Sequence, residues 1–150
     1  MILIVEDDER LARLLSVTFK KMDWPSLLAQ NGVDAYRLVR QKGLQCLLLD
    51  MRMPMLNGME FLSIMKTEGI NVPTIIMTGD SAFEVDKLET FPHVIGFIEK
   101  PFAVPEIVEM IQPHIASASD AASQRLRAAR AAGAPPLSGQ GRPFRRTWGA

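Results

Sequence analysis

The chain has 150 residues, 47% of them hydrophobic and 23% charged, which is enough to bury one sizeable core and matches about one domain. A second folded domain is not expected, no window approaches the roughly 18 uninterrupted apolar residues of a membrane span, and the lone Cys46 excludes an internal disulfide. The formal net charge of zero hides an asymmetry: residues 116–150 hold six arginines (Arg125, Arg127, Arg130, Arg142, Arg145, Arg146) against one acid, Asp120, so that segment carries +5 and the body −5.

Met1 to Val5 is an unbroken apolar run, expected to form a strand covered on both faces. Arg10 to Met22 sets Leu11, Leu14, Leu15, Thr18 and Met22 along one helical stripe. Ser26 to Ala29 is a weaker strand, and Asp34 to Lys42 carries Ala35, Leu38 and Val39 at helical spacing before a stop at Gly43. Gln45 to Leu49 is the third strand, Gly58 to Thr67 the third helix and Val72 to Met77 the fourth strand. Ser81 to Phe91 is poorly periodic and is read as a short or irregular fourth helix. Val94 to Ile98 makes the fifth strand, and a last helix begins near Pro105, a good first-turn residue, with Val104, Ile107, Val108 and Ile111 facing inward. Five βα units argue for an α/β fold, a doubly wound parallel sheet with helices on both faces, because right-handed crossovers leave few other solutions.

Open parallel sheets bind ligands at the carboxyl ends of their strands. Strand 1 ends in Glu6-Asp7-Asp8, strand 3 in Asp50, strand 4 in Thr78, and strand 5 in Lys100-Pro101-Phe102. Clustered carboxylates raise one another's pKa unless a cation neutralises them. All-oxygen ligands point to a hard ion, and Mg2+ takes one or two carboxylates while leaving positions for phosphate oxygens. A carboxylate can attack a phosphoryl group while metal, lysine and hydroxyl stabilise the charge on its oxygens, and Asp50 is the candidate nucleophile. Taken singly, simpler roles exist. Glu6-Asp7-Asp8 suits a helix amino terminus, Asp50 and Thr78-Gly79 suit turns, and Lys100 suits a solvated loop. Met51, Met53, Met55 and Met59 read as adaptable gap fillers, Cys46 as a small buried hydrophobe, and His93 and His114 lack partners at ligand spacing.

The ordered set Ile2-Leu3-Ile4-Val5-Glu6-Asp7-Asp8, Leu49-Asp50-Met51-Arg52-Met53-Pro54 with Gly58, Met77-Thr78-Gly79 and Phe97-Ile98-Glu99-Lys100-Pro101-Phe102 resembles the receiver domains of two-component response regulators. The resemblance covers residues 1 to about 115 and implies a flavodoxin-like five-stranded sheet in the order 2-1-3-4-5. It implies a phosphorelay function: a phosphoryl group is taken from a phosphohistidine on a sensor histidine kinase or histidine phosphotransfer protein and later lost by hydrolysis. By the same resemblance, Glu6 and Asp7 match the acidic pair that holds Mg2+, the first usually through water, and Asp50 matches the phosphoacceptor and metal ligand. Arg52 would offer its backbone carbonyl to the metal, and Thr78 and Lys100 would bind phosphoryl oxygens. Phe97 matches an aromatic switch that, with Thr78, would reshape the face made by helix 4, strand 5 and helix 5. Arg52 and Asp80 occupy positions that tune water access, and an ion pair between them would shield the phosphoryl group.

Thr90-Phe91-Pro92-His93 departs from the Ala-rich fourth helix usual in that family, so an early end or distortion at Pro92 is expected. The domain boundary is placed near residues 114–119, giving a receiver over 1–115 and an Ala/Arg-rich basic tail over 116–150, flexible or partly helical. That tail is too short for a usual DNA-binding output module, so a stand-alone, chemotaxis-regulator-like receiver is expected, one that controls an unidentified downstream protein or forms a homodimer. An alternative is a nucleic-acid-associated regulator, with DNA contacted only through the tail's arginines. An aspartate-nucleophile phosphatase is more remote, since such enzymes need a second acid where Arg52 stands. The absence of an opening basic segment followed by a long apolar stretch makes the cytoplasm the default location.

Overall fold

Five parallel strands pair in the order β2-β1-β3-β4-β5, where β1 is Ile2–Val5, β2 Ser26–Ala29, β3 Cys46–Asp50, β4 Thr74–Thr78 and β5 Val94–Glu99. The computed structural model describes residues 1–79 and 85–115. Every residue of β1, β3 and β4 is buried, the signature of strands covered on both faces. Alternation along each strand divides the core in two. Leu3, Val5, Leu47, Leu49, Ile76 and Phe97 face one layer; Ile2, Ile4, Cys46, Leu48, Ile75 and Met77 face the other.

Among the described residues, four α-helices cover those faces: α1 Glu9–Lys21, α2 Gly32–Leu38, α3 Gly58–Thr67 and α4 Val104–Ile111. Helices α2 and α3 pack Ala35, Phe61, Leu62 and Met65 on the first layer, while α1 and α4 pack Ala12, Leu15, Phe19, Ile107 and Ile111 on the second. The doubly wound arrangement read from the sequence is therefore the one observed. Full burial of an aromatic or aliphatic side chain such as Phe19, Phe61 or Leu15 contributes about 1.5–3 kcal/mol each.

Local differences have physical causes. The buried stripe of α1 is Ala12, Leu15 and Phe19; Leu14 and Met22, expected inside, are exposed. Helix α2 begins at Gly32 because the Asn31 side chain accepts a hydrogen bond from the Asp34 N–H at 2.8 Å, and its α-helical span ends at Leu38, short of Lys42. Strand β3 extends one residue further than expected and takes Asp50 into the ladder. Where a fourth α-helix would stand, Val85–Thr90 is a 3-10 helix, in keeping with the weak periodicity and with Pro92 just beyond it. The basic segment 116–150, Asp80 and residues 81–84, the first part of the expected fourth helix, lie outside the described residues.

Candidate functional site

The polar groups gather at the carboxyl end of the sheet because the parallel register brings the strand ends level. Val5 pairs with Leu49, Asp50 with Met77, and Thr78 with Glu99. The ladder continues past the strands: the Glu6 N–H donates to the Ala29 carbonyl at 3.0 Å, that of Met51 to Met77 at 3.2 Å, and that of Lys100 to Thr78 at 2.7 Å. Glu6, Asp50, Thr78 and Lys100 are thereby held by backbone bonds, and sites built on such elements are more precise than sites on loops.

Carboxylate oxygens of Glu6, Asp7 and Asp50 all lie within 4.8 Å of one another. Glu6 is fully buried, Asp50 is 4% exposed, and Asp7 faces solvent. The Lys100 ammonium donates to Glu6 Oε2 at 2.7 Å and lies 3.1 Å from Asp50 Oδ2. Glu6 Oε1 accepts the Asp8 N–H at 3.1 Å, and Asp50 Oδ1 accepts the Arg52 N–H at 3.1 Å. Burial pushes the Glu6 carboxyl up to about 7; the Lys100 and Asp8 hydrogen bonds oppose that rise and the Asp50 charge adds to it. Burial works against the Lys100 charge, but Glu6 and then Asp50 outweigh it, and its pKa is raised.

The acidic run at the end of β1 divides by role. Asp8 caps α1, its Oδ1 accepting the N–H groups of Arg10 and Leu11 at 2.9 and 3.3 Å, whereas Glu6 and Asp7 turn toward Asp50. The ion pair from Glu6 to Lys100, 94 residues apart, is absent from the sequence reading. Thr78 is buried at the end of β4, beside Lys100 in the ladder, and the Arg52 side chain is exposed. Phe97 sits in β5 with its ring buried against the α2 and α3 layer. The proposed Arg52–Asp80 pair involves a residue outside the described ones.

The donor set fits a hard divalent cation: three carboxylates, all oxygen, two of them buried with one ammonium between them. Gly58 packs directly against the end of β3. A Cβ there would fall 2.7 Å from Met51 Sδ, 2.8 Å from Met51 Cα and 2.9 Å from the Asp50 carbonyl oxygen, so a side chain would displace the end of β3. Among the described residues no helix is long and apolar enough to cross a membrane.

Residues 2–112 match the family model described as the response regulator receiver domain. A transcriptional regulatory protein, SrrA of Staphylococcus aureus, is 32% identical over 108 residues, 71% of this chain and 44% of that protein. The chain thus spans less than half the length of that relative. A DNA-binding response regulator of the LuxR family from Staphylococcus aureus superposes with a TM-score of 0.67 at 26% identity, covering 75% of this chain and 95% of that one. A CheY-like receiver domain protein from Methanospirillum hungatei has the same fold, with a TM-score of 0.67 at 20% identity over 75% of this chain and 90% of that one. With the family model spanning nearly all of the described residues, the chain belongs to the response regulator receiver domain family of two-component systems.

Proposed function

We propose that this receiver accepts a phosphoryl group on Asp50 from a phosphohistidine donor, a sensor histidine kinase or a histidine phosphotransfer protein. The observation that carries the reading is the grouping of Glu6, Asp7 and Asp50 within 4.8 Å, with the Lys100 ammonium 3.1 Å from Asp50 Oδ2. An Asp50 carboxylate oxygen attacks phosphorus, the donor's N–P bond breaks, and its electron pair returns to the imidazole nitrogen, which takes up a proton. The product is an acyl phosphate, which water later cleaves to inorganic phosphate and the free carboxylate.

Glu6, Asp7, Asp50 and the Arg52 carbonyl would hold Mg2+, which when bound neutralises phosphoryl charge. Lys100 moves from bridging two carboxylates to binding a phosphoryl oxygen, and Thr78 supplies a hydroxyl to another. The Arg52 N–H already orients Asp50 through Oδ1, leaving Oδ2 on the Lys100 side. Phe97, buried here, represents the inward form of a two-state switch in which Thr78 shifts toward the phosphoryl group and biases the ring. The surface so altered comprises the 3-10 helix Val85–Thr90, β5 and α4, and its change controls binding of a downstream protein or a second copy.

The reading is tested with a small acyl phosphate as donor. Incubation in Mg2+ should add one phosphoryl group, located at Asp50 by borohydride reduction and peptide mapping, and chelation should prevent it. Modification at another residue would overturn the assignment.

A further inference from the structure

The loop between β3 and α3 carries the Arg52 N–H that holds Asp50 Oδ1. It is closed on itself: the Leu56 N–H donates to the Pro54 carbonyl at 2.9 Å, and the Gly58 N–H donates to the Met51 carbonyl at 3.2 Å. Asn57 and Glu60 form a reciprocal capping box at the start of α3. A loop tied this tightly transmits a push at one residue to the others.

The first turn of α2 stands against it. A Cβ on Gly32 would lie 2.5 Å from Leu56 Cβ, 2.6 Å from the Leu56 carbonyl oxygen and 2.9 Å from Leu56 Cδ2. The first two atoms belong to the backbone or its immediate branch and cannot swing aside. The α2 turn is equally fixed, since Asn31 accepts from the Asp34 N–H and donates to Asp34 Oδ2, both at 2.8 Å, and Ala35 is fully buried below it.

We propose that Gly32 is a positioning residue for the Asp50 site. Its bare Cα lets the α2 turn act as a backstop for the β3–α3 loop, and the backstop sets where the Arg52 N–H and carbonyl lie relative to Asp50. This rests on the reading of Asp50 as an Mg2+-assisted phosphoacceptor. Groups that orient metal ligands from behind are commonly worth about 10–100-fold in metal affinity.

The test compares the full chain with Gly32→Ala and, as a control on the same turn, Val33→Ala, whose side chain is partly exposed. Mg2+ affinity is measured by calorimetry, the Arg52 amide by NMR in metal-free protein, and phosphorylation rate against Mg2+ concentration. Gly32→Ala is expected to weaken Mg2+ binding about tenfold or more, move the Arg52 amide resonance, and raise the half-saturating Mg2+ more than it lowers the saturated rate. Val33→Ala should leave all three unchanged. A merely structural role predicts a lower melting temperature from the Leu56 clash but an unaltered Mg2+ affinity in the protein that remains folded. An unaltered Mg2+ affinity in folded Gly32→Ala overturns the proposal. Should that variant not fold, Leu56→Gly removes the two side-chain atoms of that contact from the loop side and leaves only the carbonyl oxygen, and unchanged Mg2+ affinity there overturns it equally. If the unsubstituted chain shows no Mg2+ binding that Asp50→Asn abolishes, the phosphoacceptor reading fails and takes this proposal with it.

Discussion

Replacing Lys100 by Met removes the cation that bridges the buried carboxylates of Glu6 and Asp50. The ammonium lies 2.7 Å from Glu6 Oε2 and 3.1 Å from Asp50 Oδ2, and the carboxylate side chains are 0% and 5% exposed. Breaking a buried pair costs about 3–5 kcal/mol when the remaining charge is uncompensated. The lysine side chain is 24% exposed, so water relieves part of that cost and about 2–3 kcal/mol is expected. At about 4 °C per kcal/mol for a domain of this size, the melting temperature of metal-free protein at pH 8 should fall by about 10 °C. Glu6 supplies an escape: without Lys100 its carboxyl rises further, so at pH 6 it is neutral and the deficit shrinks. Mg2+ should recover part of the loss at pH 8 by replacing the missing charge. Thermal melts by circular dichroism in chelator and in Mg2+, at both pH values, test the reasoning. A Lys100→Met protein as stable as the parent at pH 8, or a deficit larger at pH 6, would refute it.

Other perturbations separate the contributions. Because the folded-state pKa of Glu6 is raised from 4.5 to about 7, the native protein holds a proton that the unfolded chain releases, and stability falls as pH rises through that window. The span corresponds to at most about 3.5 kcal/mol; relative to Glu6→Gln, metal-free protein should lose stability between pH 5 and 8, and a pH-independent difference would contradict this. His93 titrates in the opposite sense. Burial first, then the Lys66 charge, lowers its pKa below 6.5, and both ring nitrogens lack a hydrogen-bond partner among the described residues, so its contribution is lost as pH falls. His93→Leu should therefore lose less stability than the parent between pH 7 and 5 in denaturant titrations. Gly58→Ala drives a Cβ into Met51 and the Asp50 carbonyl and should destabilise by about 1–3 kcal/mol, the usual range for overpacking, while slowing phosphorylation of Asp50.

Strand identity was legible because an apolar run such as Ile2–Val5 has few alternatives to a strand covered on both faces. The strand-end polar residues Glu6, Asp50, Thr78 and Lys100 could be placed together once the topology was granted, since a parallel sheet levels its carboxyl ends. Helix faces were less determined. Leu14 and Leu15 both satisfy a 3.6-residue repeat, and only the fit of Ala12 and Phe19 to the sheet selects between the two stripes. Asp7 and Asp8 are adjacent acids, yet one faces the site and the other caps α1, a distinction made by backbone direction after β1. Contacts between distant residues left no local signal: Lys100 with Glu6, and Gly32 with Leu56, depend on packing that no spacing rule encodes.

The central claim concerns Asp50 itself. Phosphoryl transfer from labelled phosphohistidine proteins should be followed to the full chain and to Asp50→Asn, with Mg2+ present and with Mg2+ chelated. Label is expected on the parent only in Mg2+, and none on Asp50→Asn under either condition. Labelling that survives the substitution, or that is indifferent to chelation, would contradict Mg2+-assisted acceptance at this carboxylate.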